Sequence, residues 1–424
     1  MPLNWPKRTC PSRRAVRSVQ IVCMSVRCAP WRSSMRDKYD IVIVGAGPAG
    51  STTARFAAAA GASVLMLEKD RDIGIPVRCA EGASEAGLRA VLENIDERWI
   101  DNRISEVFFH SPGEKMVELK FKQVGYILNR KLFDYDLAQM AVRAGVEVLT
   151  KAYVFDLLRE DDKIAGIRFS HMGKTFDVKS RLVVGADGVE SRVGRWAGIK
   201  TRTKMGDIET CAQYTVHDLN LADNHLHLFF SSKIAPEGYL WIFPKGDGRA
   251  NIGLGISGDA AAKKAPVSYL DEFMAERYPH ASILNSVAGG VPCDRTLETI
   301  VLDGLMLVGD AAHQCNPITG GGIAPALIAG KIAGQVAGRA IAEGDVSAKS
   351  MQDYPRRWHK AEGRNHQIFY RLKNYIYKLT DDELEGIAEA ALHVPVAKRS
   401  LVTLFRAALV KKPSLILDAV KVFT

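Results

Sequence analysis

No Cys-x-x-Cys pair occurs among the seven cysteines of this 424-residue chain, which argues against zinc or iron–sulfur ligands at their usual spacing. No uncharged apolar run reaches about 18 residues, so no transmembrane helix is expected. A secretory apolar segment is missing as well, and an intracellular, reducing compartment is the default that follows. Internal repeats are absent. Aromatic residues make up only 8% of the chain, so a cluster of them carries information. The body also lacks an excess of either charge. The net charge is +9, but residues 1–38 hold nine Lys and Arg against one acid, Asp37, leaving about +1 for the remainder. The basic balance therefore gives no ground for a nucleic-acid partner.

The first 34 residues are rich in Arg and Ser and contain Cys10, Cys23 and Cys28. Such a composition fits an organelle transit peptide. The favoured reading is a mis-assigned start, with Met35 as the true first residue, a few polar positions ahead of the first strand. In both readings residues 1–34 are a basic extension excluded from the fold. The body keeps Cys79, Cys211, Cys293 and Cys315.

What is present begins at Tyr39-Asp-Ile-Val-Ile-Val-Gly45-Ala-Gly47-Pro-Ala-Gly50. An apolar strand runs into a Gly-x-Gly-x-x-Gly turn, a small-residue helix, and a second apolar strand that ends at Glu68. Gly45 permits the tight turn, Gly47 lets backbone N–H groups approach a pyrophosphate, and Gly50 lets helix and strand pack closely. The helix N-terminus adds partial positive charge for the phosphates. Glu68 lies 18 residues past Gly50, where a carboxylate accepts from ribose hydroxyls. Together these define a dinucleotide site.

Further along, 73–89 reads as a loop entering a helix and carries Pro76-Val-Arg78-Cys79-Ala80-Glu81-Gly82. Residues 104–128 alternate weakly and read as strands. Asn129 caps a helix with apolar Leu132, Phe133, Leu137, Met140 and Ala141. Arg181-Leu-Val-Val-Gly185-Ala-Asp187-Gly188 is another strand-to-glycine turn. Residues 210–256 read as an antiparallel sheet with Tyr239-Leu-Trp241-Ile-Phe243-Pro244 at its centre, and the three alternating rings share one face. A buried strand ends at Gly309-Asp310, about ten residues before a glycine turn at 320–322 that opens a helix. Asp310 suits the ribityl hydroxyls of a flavin, and Gly322 and Ile323 present N–H groups toward its ring system. His225 and His227 have no third ligand nearby and read as structural, so no metal is expected. The tail at 398–413 sets apolar and basic residues at helical spacing, a pattern that lies on anionic bilayers.

The turn at Gly45, the turn at Gly185 and the Gly309-Asp310 strand together resemble the FAD-binding superfamily of p-hydroxybenzoate hydroxylase, in the same order over 39–342. The Pro76–Gly82 and Tyr-x-Trp-x-Phe-Pro motifs resemble those of geranylgeranyl reductases. The resemblance implies an α/β fold, with a Rossmann-type three-layer FAD-binding domain and an inserted antiparallel substrate sheet. The implied boundaries are 35–107, 126–204 and 295–345 for the flavin, 108–125 and 205–294 for substrate, and a helical region at 346–424. It places FAD against Ala49, Glu68, Cys79, Ala80, Gly82, Arg130, Asp310, Gly322 and Ile323, with a backbone contact from Val154 near the adenine. Arg130, at a helix start, can also reach phosphate or ribityl oxygens on its own chemistry.

The resemblance further implies reduction of isolated C=C bonds in the geranylgeranyl chains of an ether phospholipid. Tyr239, Trp241, Phe243 and Pro244 would wall an apolar tunnel, because a prenyl chain offers only shape to bind. Cys79, or a water near it, would supply the proton that accompanies the hydride, and a nearby guanidinium would lower the thiol pKa. His313 falls beside the flavin as either a supporting or a catalytic histidine. The electron donor is a ferredoxin, a deazaflavin or a nicotinamide, since no second dinucleotide fingerprint is found. The location implied is cytoplasmic, on the inner face of the cell membrane. Two other readings keep the fold. A flavin monooxygenase or halogenase would show Trp-x-Trp-x-Ile-Pro where this chain has Tyr-Leu-Trp-Ile-Phe-Pro, and an electron-transfer flavoprotein dehydrogenase would add clustered cysteines.

Overall fold

Strand Lys38–Val44 is apolar throughout its second half because parallel neighbours flank it and both faces are covered. Val42 is in register with Leu65 on one side and Val183 on the other. The computed structural model describes residues 36–219, 221 and 224–399, and the account concerns the unit beginning at Asp37. Residues 1–34 lie outside the described residues, as does the 398–413 stretch beyond Arg399. In the first sheet, strands Leu305–Leu307, Lys174–Gly185, Lys38–Val44, Val64–Leu67 and Glu147–Leu149 run parallel in that spatial order. Strands Ala152–Glu160 and Lys163–His171 fold antiparallel onto the long strand Lys174–Gly185.

Helix Pro48–Ala59 packs against helices Arg130–Arg143 and Ile323–Glu343. The second contact is backbone-close: a Cβ at Gly334 would lie 2.5 Å from the Thr53 carbonyl oxygen, and one at Gly330 would lie 2.8 Å from that of Ala49. Gly330, Gly334 and Gly338 recur every four residues, so they line one stripe of the long helix. Asn129 caps its helix as the sequence predicts, accepting from Leu132 N–H.

The second sheet orders strands Ser282–Pro292, Ile208–His217, Arg249–Ser257, Tyr239–Gly246, His225–Phe229, Ile100–His110, Met116–Leu128 and Gly82–Ser84. All pairs are antiparallel except His225–Phe229 with Ile100–His110. The boundary expected at 108 falls inside strand Ile100–His110, which pairs with Met116–Leu128 on both sides of that position, with register shifts at Ile100/Asn102 and Ile104/Glu106. One face carries Tyr214, Val216, Leu240, Ile242, Ile252, Leu254 and Ile256 against Leu270, Phe273 and Met274 of helix Pro266–Arg277. The opposite face carries Glu209, Gln213, Tyr239, Trp241 and Phe243.

The C-terminal helices close that face. Lys373, on helix Arg364–Ile376, is wholly buried and donates to Asp207 at 2.8 Å and to the Cys293 carbonyl at 2.7 Å. Helix Asp381–Leu392 starts in a Thr380/Glu383 capping box and packs Ala388 and Ala391 on Val117 and Leu119.

Candidate active site

Parallel strands bind ligands beyond their carboxyl ends. Here those ends bring together the 45–50 turn, Glu68, the Gly185–Asp187 turn and Gly309–Asp310. Gly45 has φ +101°, and a Cβ there would lie 2.3 Å from the Ala186 carbonyl oxygen. A Cβ at Gly50 would meet the Gly45 carbonyl at 1.9 Å, so close packing demands glycine. Gly47 has open space above it, and helix Pro48–Ala59 has no side-chain cap there, so its first N–H groups are free to meet an anion.

The Glu68 carboxylate accepts from Ala46 N–H at 2.9 Å and Asp70 N–H at 3.0 Å, which fixes its direction. Gly47, Glu68 and Arg130 line a solvent-open cleft of about 450 Å³ with Pro76, Arg78 and Asp134. The Arg130 side chain is 13% exposed and clasps Asp134 through two bonds of 2.7 Å, so it is no surface arginine. Val154 does not line the cleft. It is buried two residues past Ala152, whose N–H donates to the Glu68 carbonyl at 2.8 Å.

At the far end, Gly309 holds φ +70° and sits against Ala49, where a Cβ would lie 2.7 Å from the Ala49 methyl. The Asp310 carboxylate lies over Gly322, 3.3 Å from where a Cβ would stand. Gly322 is the N-cap of helix Ile323–Glu343, again with no side-chain cap, which leaves the Ile323 N–H without a helical partner. Ile323 itself is buried beside Leu88 and Phe133. Burial raises the Asp310 pKa and Arg130 opposes the rise. Two uncapped helix starts, the Glu68 and Asp310 carboxylates and the Arg130 guanidinium are a donor and acceptor set that fits FAD.

His313 is 1% exposed and uses Nε2 on the Thr201 carbonyl at 3.1 Å; burial lowers its pKa. His227 bonds His110 at 3.0 Å and His225 bonds Glu106 at 2.5 Å, and no metal-binding cluster occurs among the described residues.

The aromatic motif alternates as predicted. Tyr239, Trp241 and Phe243 lie on the face opposite Leu240 and Ile242, with ring centroids 5.8 Å and 6.5 Å apart. Phe230 and Phe109 extend the row at 5.8 Å and 5.9 Å. At its other end Phe243 covers Gly82, where a Cβ would lie 2.9 Å from the ring. Pro244 is buried, and its carbonyl accepts from Asn102 at 2.8 Å. The Tyr239 hydroxyl donates to the Thr319 carbonyl at 2.6 Å, beside the 320–322 turn.

Cys79 lies in the loop that leads into strand Gly82–Ser84, and its backbone is tied to the second sheet. Its carbonyl accepts from Gln213 at 3.0 Å, and Gln213 accepts from the Trp241 indole at 3.0 Å. The thiol is half-buried and receives Glu81 N–H at 3.2 Å. One expectation is corrected here. Arg78 is exposed, with its stem along Gly289, and although Arg130 pulls the thiol pKa down, burial outweighs it and the net shift is upward.

Sequence reasoning passed over Gln213, Lys245 and Asn251, and quoted Glu81 without a role. Ala80 and Glu81 both accept from Asn251, at 3.3 Å and 2.7 Å. Glu81 and Lys245 are 164 positions apart, so no local pattern announces the pair.

The fold and its double cradle are those of an FAD-dependent oxidoreductase, and residues 40–90 match the family model for that class. Residues 207–291 match the model of the geranylgeranyl reductase catalytic domain. Digeranylgeranylglycerophospholipid reductase 1 of Methanococcoides burtonii is 45% identical over 381 residues, covering 89% of this chain and 93% of the relative. The corresponding reductase of Methanosarcina mazei is 44% identical and covers 88% and 93%. A solved geranylgeranyl bacteriochlorophyll reductase-like protein from Thermoplasma acidophilum superposes with a TM-score of 0.85 at 35% identity, covering 91% of this chain and 99% of that one. A flavin-dependent brominase shares the fold alone, at a TM-score of 0.70 and 20% identity. The chain belongs to the digeranylgeranylglycerophospholipid reductase family.

Proposed function

We propose that this enzyme saturates isolated C=C bonds in the geranylgeranyl chains of an ether phospholipid, with Cys79 as the proton donor. The observation that carries the reading is the junction at Cys79. The loop that bears the thiol is hydrogen-bonded through Gln213 to Trp241, so proton source and aromatic face are built as one unit.

FAD, when bound, supplies the reducing equivalents, held by the 45–50 turn, Glu68, Arg130, Asp310 and the Gly322–Ile323 amides. The rest falls to the side chains. An unactivated alkene is a poor hydride acceptor, so placement and exclusion of water must lower the barrier. The row from Phe109 to Phe243 gives about five rings of apolar surface to position the chain. Because its pKa is raised, Cys79 keeps its proton on Sγ at neutral pH, which is the form that donates to carbon. In this reading the second sheet is the substrate domain and the first the flavin domain. The lipid is taken from the inner face of the cell membrane, and the electrons arrive from a reduced ferredoxin, deazaflavin or nicotinamide. No described helix is long and apolar enough to cross a membrane.

The test uses the full chain loaded with FAD, reduced with dithionite under anaerobic conditions and given digeranylgeranylglyceryl phospholipid. Mass spectrometry should follow gains of two hydrogens per double bond while the flavin reoxidises without oxygen. Unchanged lipid mass with persistently reduced flavin overturns the proposal.

A further inference from the structure

Glu81 adopts φ +74°, a left-handed backbone that glycine tolerates and other residues rarely adopt. Such strain persists only where the surroundings over-determine it. Here they do so through every polar atom of the residue. Its carbonyl accepts from Leu128 N–H at 2.8 Å, and Oε1 accepts from Arg130 N–H at 3.1 Å. Oε2 accepts from Asn251 at 2.7 Å and from the Lys245 ammonium, which also holds Asp101 at 2.9 Å. Glu81, Lys245 and Asn251 are all buried. The remaining group, the backbone N–H, points at Cys79 Sγ at 3.2 Å.

A glycine would satisfy the backbone at this position more easily. What glycine cannot do is tie the loop to the second sheet. Lys245 and Asn251 flank the turn that follows Phe243 and Pro244, so the carboxylate joins the end of the aromatic strand to the loop that carries the thiol.

We propose that Glu81 is the positioning residue of this active site. Its buried carboxylate, clamped by Lys245 and Asn251, holds the strained turn that aims an N–H at Cys79 and keeps the thiol in register with the aromatic face. The proposal rests on the reading of Cys79 as proton donor, and two separate readouts keep the two apart.

The test compares full-length, FAD-loaded wild type with the Glu81→Gln and Glu81→Gly variants and with the double variant E81M/K245M. Cys79 alkylation by iodoacetamide, followed by peptide mass spectrometry across pH, reports the thiol without any lipid. Lipid reduction per bound flavin and the thermal midpoint are measured alongside. The double variant removes both buried charges of the Glu81–Lys245 pair but leaves the Asp101 carboxylate and the Asn251 amide without those partners, so its midpoint should fall below wild type and reduction is read per bound flavin. Loss of the aimed N–H removes stabilisation of the thiolate, and alkylation at pH 8 should slow by about threefold or more. Misplacing a reacting group by about 1 Å costs up to about 100-fold in rate, so reduction per flavin should fall about 10- to 100-fold. An unchanged alkylation profile and a reduction rate within about twofold of wild type, beside a lowered midpoint, would make Glu81 merely structural. If the double variant does not fold, Glu81→Gln and Glu81→Gly are judged by the same alkylation criterion. If wild type reduces no lipid, the functional reading fails while alkylation still decides the role of Glu81.

Discussion

Replacing Cys79 by Ala and by Ser separates proton donation from packing. The thiol is half-buried and accepts the Glu81 N–H at 3.2 Å, a contact that alanine removes, while the backbone link to Gln213 survives both substitutions. Serine keeps an acceptor for the Glu81 N–H but offers a far weaker acid. A positioned general acid contributes about 10²- to 10⁴-fold, which corresponds to about 2.7–5.4 kcal/mol of barrier. Both variants should therefore bind FAD as wild type does and slow alkene reduction by at least about 100-fold. The wild-type rate should be flat through neutral pH and fall only above the ordinary thiol value of about 8.5, because burial raises the pKa and Arg130 only partly opposes the rise. The sign follows from the reactive form: the protonated thiol is lost as pH climbs through its raised pKa. The assay is anaerobic single-turnover oxidation of the dithionite-reduced enzyme by lipid, read by flavin absorbance from pH 6 to 10. Rates within about threefold of wild type in C79A, with the alkaline limb intact, would remove the thiol from the mechanism.

Trp241→Phe keeps an aromatic ring, smaller than the indole, but strands the Gln213 amide oxygen, which is buried. A buried acceptor without its donor costs about 1–3 kcal/mol, so the thermal midpoint should drop and KM for lipid should rise, as melting and steady-state assays would show. Gly334→Ala drives a methyl to 2.5 Å from the Thr53 carbonyl. Overpacking of this kind costs about 1–3 kcal/mol, and because it displaces the helix that follows the 45–50 turn, FAD retention on dialysis should fall with stability. Burial pushes Glu209 up to about 7 from 4.5, while the Tyr377 hydroxyl and Lys373 pull against it. The folded state then holds a proton that the unfolded state releases between those values, so this group's stabilisation is present below about pH 4.5 and lost as pH rises through about 7. Glu209→Gln should flatten the fall of the thermal midpoint between pH 5 and 8, and an unchanged pH slope would refute the assignment. The effect is at most about 3 kcal/mol.

Much of the flavin cradle was legible because its causes are local. Gly45 is required by a positive φ and Gly50 by contact with its own turn, so a short string of residues carries the whole constraint. The alternation of Tyr239, Trp241 and Phe243 was legible for the same reason, since a strand's period of two needs no knowledge of its partners. The Asp310–Gly322 contact is longer in range, yet both ends lie in one strand–turn–helix unit. What escaped the sequence is what ties the second sheet to the loop and helix that cover it. Gln213 reaches across 134 positions to Cys79, and Tyr377 across 168 to Glu209, and no local pattern pairs the two ends of either link. The thiol is the sharpest case. A neighbouring arginine suggests a lowered pKa, and the fold does supply Arg130, but it also buries the thiol, and the loss of water outweighs the cation. Sequence can name the charges near a group; the dielectric in which they act comes from the packing. Under the mechanism proposed above that difference matters, because a low-pKa cysteine is a nucleophile, whereas a raised one keeps the proton that the proposal assigns to carbon.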